Sequence, residues 1–106
     1  MASLITLQNS NGTDSIATLI HFDTIGHHDR APESWTHTVV FDLADCWEIN
    51  TSVLCRLMAL RSAALRGQAK RFIVRRAPAA LEEAMRILHM HPLFEIESRT
   101  GLHQAI

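Results

Sequence analysis

A small, single α/β domain with a mixed sheet is the fold class this sequence predicts, on three observations. Apolar strand-like runs alternate with helix-period segments from residue 38 onward, and an Asn-Gly turn between two strand-like runs opens the chain. At 106 residues and 47% hydrophobic content, the chain can build one core but not two. Strand-helix-strand alternation calls for parallel strands with right-handed crossovers, while an opening hairpin contributes an antiparallel strand. Helices then pack against the sheet, and residues 1–106 form one domain.

Each element follows from its local pattern. "SLITLQ" (3–8) and "IATLIHF" (16–22) flank "NSNGTDS", whose Asn-Gly marks a hairpin turn. Residues 23–37, "DTIGHHDRAPESWTH", read as a loop with at most one helical turn. "TVVFDL" (38–43) is a continuous apolar run of the kind buried on both faces, which makes it the central strand. From Thr51 the period becomes helical, with Leu54, Leu57, Met58, Ala64 and Leu65 assigned to the buried face. Gly67 is expected to close that helix as a left-handed cap. "RFIVRR" (71–76) is the next strand. Pro78 then opens a second helix, "PAALEEAMRILHM", at a first-turn position, and Pro92 stops it. "LFEIES" is a last short strand, and "TGLHQAI" adds a terminal helical turn.

Composition narrows the function classes. Four Gly and three Pro are too few for a disordered chain, and there is no repeat or linker. No leader-like segment and no apolar run of membrane-spanning length is visible, so a cytoplasmic protein is expected. Cys46 and Cys55 match no zinc or redox spacing and read as buried, reduced thiols. Charge is uneven: residues 1–50 hold one Arg against seven Asp or Glu, whereas residues 56–86 hold eight Arg or Lys against two Glu. Without interleaved aromatic residues the basic segment reads as a solvated face and strand ends, and no nucleic-acid partner is expected.

The turn at residues 50–52 carries the chemistry. Asn50 is a good N-cap, because its side-chain oxygen can accept from free N–H groups of the first turn. Thr51 and Ser52 would then be the first helical residues. A phosphate there would meet unpaired backbone N–H groups and the positive end of the helix dipole. Hydroxyls at helix starts are also common for capping alone.

The stretch "VVFDLADCWEINTSVLCRLMALRSAALRGQAKRFIVRRAPAALEEAMRILHMHPLFEI" resembles the STAS domain. This family comprises bacterial anti-sigma factor antagonists and also occurs in sulfate transporters. Its pattern is a buried strand ending in Asp-Leu, a short linker, Asp-Ser-Ser-Gly-Leu, and a helix closed by Gly; a strand, a helix and an "LxxLFEI"-like strand follow. The resemblance is clearest over residues 39–96. Asp42 and Leu43 match the strand end, Asn50 stands where the family has Asp, and Leu54 matches the Leu. Thr51 falls on the position phosphorylated in active antagonists, and Ser52 on the neighbouring hydroxyl. Gly67 matches the helix-closing Gly, and Leu93, Phe94, Glu95 and Ile96 match the last strand. The departures are Asn50 for Asp, Val53 for Gly, and the short polar "GHHDRAPESWTH" where the family has a strand and a first helix.

Other constellations are weaker. His21, Asp23, His27, His28 and Asp29 could be assembled into a metal site on paper, but their spacing fits no zinc framework, so no metal is assigned. His89 and His91 read as caps of the second helix, and Glu82 and Glu83 favour its dipole. With no phosphate loop, nucleophile elbow or facing carboxylate pair, the expectation is a non-enzyme with no cofactor. Trp35 and Trp47 read as core residues, although Trp47, just before the turn, could anchor an interface.

The resemblance implies a regulatory protein-binding module that acts in control of transcription. Asn50, Thr51, Ser52, Val53, Arg56 and Trp47 would contact an anti-sigma, serine-kinase-like ATPase, and phosphate on Thr51 or Ser52 would release it. The alternatives are a STAS-like adaptor that holds the ATPase of a lipid-trafficking ABC transporter, and a small-ligand or metal sensor. An exposed edge strand also makes a homodimer an open expectation.

Overall fold

The computed structural model describes residues 2–8, 12, 14–23, 32, 34–46 and 50–98. The elements are β1 (Ala2–Gln8), β2 (Asp14–Asp23), β3 (Thr38–Asp45), α1 (Thr51–Arg66), β4 (Arg71–Ala77), α2 (Ala79–Ile87), a 3-10 turn (His91–Leu93) and β5 (Glu95–Ser98). The strands form one mixed sheet in the order β1-β2-β3-β4-β5. β1 and β2 are antiparallel, and the other three pairings are parallel. The predicted α/β class, opening hairpin and central β3 are all present. The terminal segment "TGLHQAI" lies outside the described residues.

Spatial order equals chain order, so right-handed crossovers place α1 and α2 on the same face of the sheet. The main core lies there: Val53, Leu57, Leu60 and Ala64 of α1 and Leu81 and Met85 of α2 pack with Ile20, Phe22, Val39, Phe41, Leu43, Phe72 and Val74. Phe41 sits at its centre, edge-on to Phe22 at 5.9 Å and to Phe94 at 6.0 Å. The opposite face carries a smaller apolar cluster, Ala17, Val40 and Ile73 with Ile5, Leu7 and Leu19 against it. β3 is therefore buried on both faces through Phe41 on one side and Val40 on the other.

Three local expectations are corrected. Gly67 has an ordinary φ of −87°, and Gln68 takes the left-handed position at φ 72°. The Ala69 N–H donates to the Ala64 carbonyl at 2.9 Å and the Gln68 N–H to Leu65 at 3.0 Å, which completes a Schellman closure. Glycine is needed at 67 for a different reason. A Cβ there would lie 2.3 Å from Trp35 Cδ1, so the residue makes room for an indole.

The second helix is shorter than the sequence suggests. Pro78 is its N-cap and not a helical residue, and the helix ends at Ile87, well before Pro92. His89 stops it by adopting φ 58°, with the Met90 N–H donating to the Met85 carbonyl at 2.7 Å. Its backbone, not its side chain, does the capping.

The third correction concerns the α1 stripe. Burial runs Val53, Leu57, Leu60, Ala64, with Leu54 and Met58 partly buried. Cys55, two residues past Val53, falls on the opposite side and is exposed, while Cys46 is buried as expected. Leu65, one residue past Ala64, is rotated by about 100° and stands 44% exposed.

Two contacts seat the segment that enters β3. The buried Thr18 hydroxyl meets the Thr36 hydroxyl at 2.7 Å, and the His37 carbonyl accepts from the N–H groups of Lys70 and Arg71 at 2.8 and 3.0 Å. Trp35 is thereby held against the end of α1.

Candidate functional site

The C-terminal ends of the parallel strands share one edge of the sheet, where ligands and partners of open α/β sheets are usually met. β3 ends there, α1 begins there, and β2 and β4 deliver their last residues to the same edge.

Asn50 has extended backbone, φ −142° and ψ 178°, and its Oδ1 accepts from the Val53 N–H at 3.1 Å. The Leu54 N–H reaches the Asn50 carbonyl at 3.3 Å, which starts the helical ladder. Asn50 is thus the N-cap the sequence predicts. Thr51 and Ser52 occupy the first two helical positions and are both exposed. No acidic residue lies in the first turn of α1, so its dipole is uncompensated by neighbours within the helix.

The remaining candidates divide. Val53 is 1% exposed and offers its amide to the cap and its side chain to the core, so it presents no side-chain surface. Arg56 is half-buried and lays its guanidinium 4.8 Å from the Phe22 ring centroid, which fixes a cation one turn along α1. Trp47 lies outside the described residues. The edge therefore brings together Asn50, Thr51, Ser52 and Arg56 on one helix end.

At the same edge, on the sheet face opposite α1, lies a cluster that the sequence reading did not assemble. His21 Nε2 stands 2.9 Å from Asp45 Oδ2, and its Nδ1 is 4.0 Å from Asp42 Oδ2. Asp42 is almost fully buried, and its Oδ1 accepts from the Ala44 N–H at 3.0 Å. Strand register makes this contact, because His21 and Asp42 are directly opposed across the β2/β3 pair. Only the parallel register reveals it, since the two residues are far apart in sequence. Of the residues that could combine into a metal site on paper, His27, His28 and Asp29 lie outside the described residues, as does the side chain of Asp23. Among the described residues no group of three or more His, Cys, Asp or Glu is arranged to hold a metal ion.

Arg76 closes the edge at the end of β4. It takes φ 57° where the register with β5 slips between Val74 and Ala77. A left-handed non-glycine residue at a bulge costs about 1–3 kcal/mol and is typical of surfaces where a side chain is re-aimed. No helix among the described residues is long and apolar enough to cross a membrane. Comparison with protein-family models, with curated proteins and with solved structures finds no match.

Proposed function

We propose that the chain is a non-enzymatic, STAS-like regulatory module of the cytoplasm that binds an ATPase of the anti-sigma kinase kind through the start of α1, with Thr51 as its switch. One observation supports this reading above the others: among the described residues it is Asn50 that caps the helix, while Thr51 and Ser52 stand exposed. The ordinary explanation for hydroxyls at a helix start, capping, is already taken by the preceding residue.

The switch is electrostatic. Phosphate on Thr51 adds about −1.5 to −2 charges at neutral pH. It would sit beside free backbone N–H groups at the positive end of α1, where an anion is favoured, so the helix keeps its shape. What changes is the surface, which turns from a neutral hydroxyl pair into an anionic one. A partner docked on that surface is repelled or loses packing. Ser52 is the secondary acceptor.

Phosphopeptide mapping tests the acceptor directly. Purified chain incubated with ATP and an extract of its source cells is expected to carry phosphate at Thr51, and Thr51→Ala is expected to lose most of the label. Label that stays unchanged in Thr51→Ala and Ser52→Ala would overturn the switch. A constitutive adaptor for a transporter ATPase would bind through the same edge with neither hydroxyl modified.

A further inference from the structure

We propose that β1 is a self-association edge: two copies of this chain pair antiparallel through β1 to give one continuous ten-stranded sheet. β1 is the end strand of the five-stranded sheet, so among the described residues one side of its backbone has no strand partner. It is seven residues long, Ala-Ser-Leu-Ile-Thr-Leu-Gln, and contains no charged residue and no proline. Charged side chains and proline are two of the devices by which natural sheets keep an edge from pairing, and β1 has neither.

Side chains point to the same edge independently. Leu4 is 68% exposed and Ile16, on β2, is 59% exposed. Leu4 pairs with Thr18 and Thr6 with Ile16, so both apolar residues lie on the helix-bearing face, at the end of the sheet away from β4. On the other face Ile5 and Leu7 are only partly buried. Apolar surface on both faces therefore runs up to a row of hydrogen-bonding groups that has no strand partner among the described residues.

A second copy is the occupant that fits both features. Antiparallel pairing about a two-fold axis keeps even-numbered residues on one face, so Leu4 of each copy joins the other's apolar patch while Ile5 and Leu7 extend the opposite cluster. An uncharged strand does not repel its own copy, and an isologous contact closes after two chains. The strand spans only about 24 Å, so the interface falls below the roughly 1,200 Å² of a standard stable complex. The dimer is accordingly weak and concentration-dependent, and it leaves the start of α1 uncovered because β3 lies two strands away.

Sedimentation velocity from about 10 μM to about 1 mM, a range set for a weak interface, reads this directly. Wild type is expected to shift from monomer to dimer. Leu4→Lys/Thr6→Lys, which places like charges across the two-fold axis, is expected to remain monomeric. Leu88→Lys, which charges an apolar residue exposed elsewhere, is expected to dimerise like wild type. Amide exchange of wild type needs no variant and is expected to slow within residues 2–8 as concentration rises. A wild type that stays monomeric throughout would overturn the proposal. So would dimerisation of the double Lys variant at the wild-type concentration, loss of dimer in Leu88→Lys, or exchange in β1 that ignores concentration.

Discussion

The Val53 N–H donates to Asn50 Oδ1 at 3.1 Å, and this single bond decides how the two following hydroxyls are read. Asn50→Ala removes the acceptor and should lower stability by about 1 kcal/mol, within the usual 0.5–2 kcal/mol of a lost cap. Asn50→Asp keeps the acceptor and adds a charge that the helix dipole favours, so it should match or exceed wild type. Urea denaturation midpoints at an unchanged slope check both. Equal stability of Asn50→Ala and wild type would mean that Thr51 or Ser52 can cap in its place.

A negative charge at Thr51 should not unfold the helix. The first turn of α1 has no acidic residue, so Thr51→Glu gains a favourable dipole interaction of about 0.3–1 kcal/mol. Its thermal midpoint should equal or slightly exceed that of wild type. A clearly lower midpoint would show that any lost binding reflects damage to α1 instead of a changed surface.

The sequence carried the architecture through periodicity and turn chemistry, which are local. β3 announced itself by its short apolar run, α1 by its cap and period, and the hairpin by its Asn-Gly turn, where Gly12 takes φ 85°. Features set by tertiary register were not legible. His21 meets Asp42 only because β2 and β3 pair parallel in one register. Gly67 does close α1 as its C-cap, but the left-handed φ falls to Gln68, and the need for glycine comes from Trp35, in a loop that sequence alone could not place. His89, in turn, was read as a side-chain cap, because a left-handed non-glycine residue leaves no compositional trace.

Gly67→Ala offers a test with a sign change. Its φ of −87° suits alanine, which by itself would stabilise by about 0.4–1 kcal/mol through the unfolded chain. The clash with Trp35 Cδ1 overrides this in the wild-type background, and overpacking should cost about 1–3 kcal/mol. In a Trp35→Ala background the obstacle is gone, and Gly67→Ala should become neutral or stabilising. A double-mutant cycle by urea denaturation measures the coupling, and additivity would show that the indole does not press on Gly67.

Arg71 and Glu95 make a bidentate pair between β4 and β5, with Nε to Oε2 at 2.5 Å and the second N–H group to Oε1 at 2.7 Å. The Arg71 hydrogen bond holds the Glu95 carboxyl below its ordinary value of 4.5, against a smaller opposing effect of burial. A depressed folded-state pKa means that the stabilisation is fully present above the unfolded value and is lost as pH falls through the folded one. Arg71 is pushed up by the same hydrogen bond and stays charged throughout. Both side chains are more than a third exposed, so the pair contributes under about 1 kcal/mol. Wild type should therefore exceed Glu95→Gln slightly at neutral pH, with the gap closing as pH drops below about 4.5. A gap independent of pH would point to packing instead of charge.

The most direct measurement is affinity capture from an extract of the source cells with wild type, Thr51→Ala and Thr51→Glu side by side, the captured proteins being identified by mass spectrometry. A small kinase-like ATPase retained by wild type and Thr51→Ala, but not by a folded Thr51→Glu, is the predicted result. The same partner retained equally by all three would contradict the switch and leave the start of α1 as a constitutive docking edge.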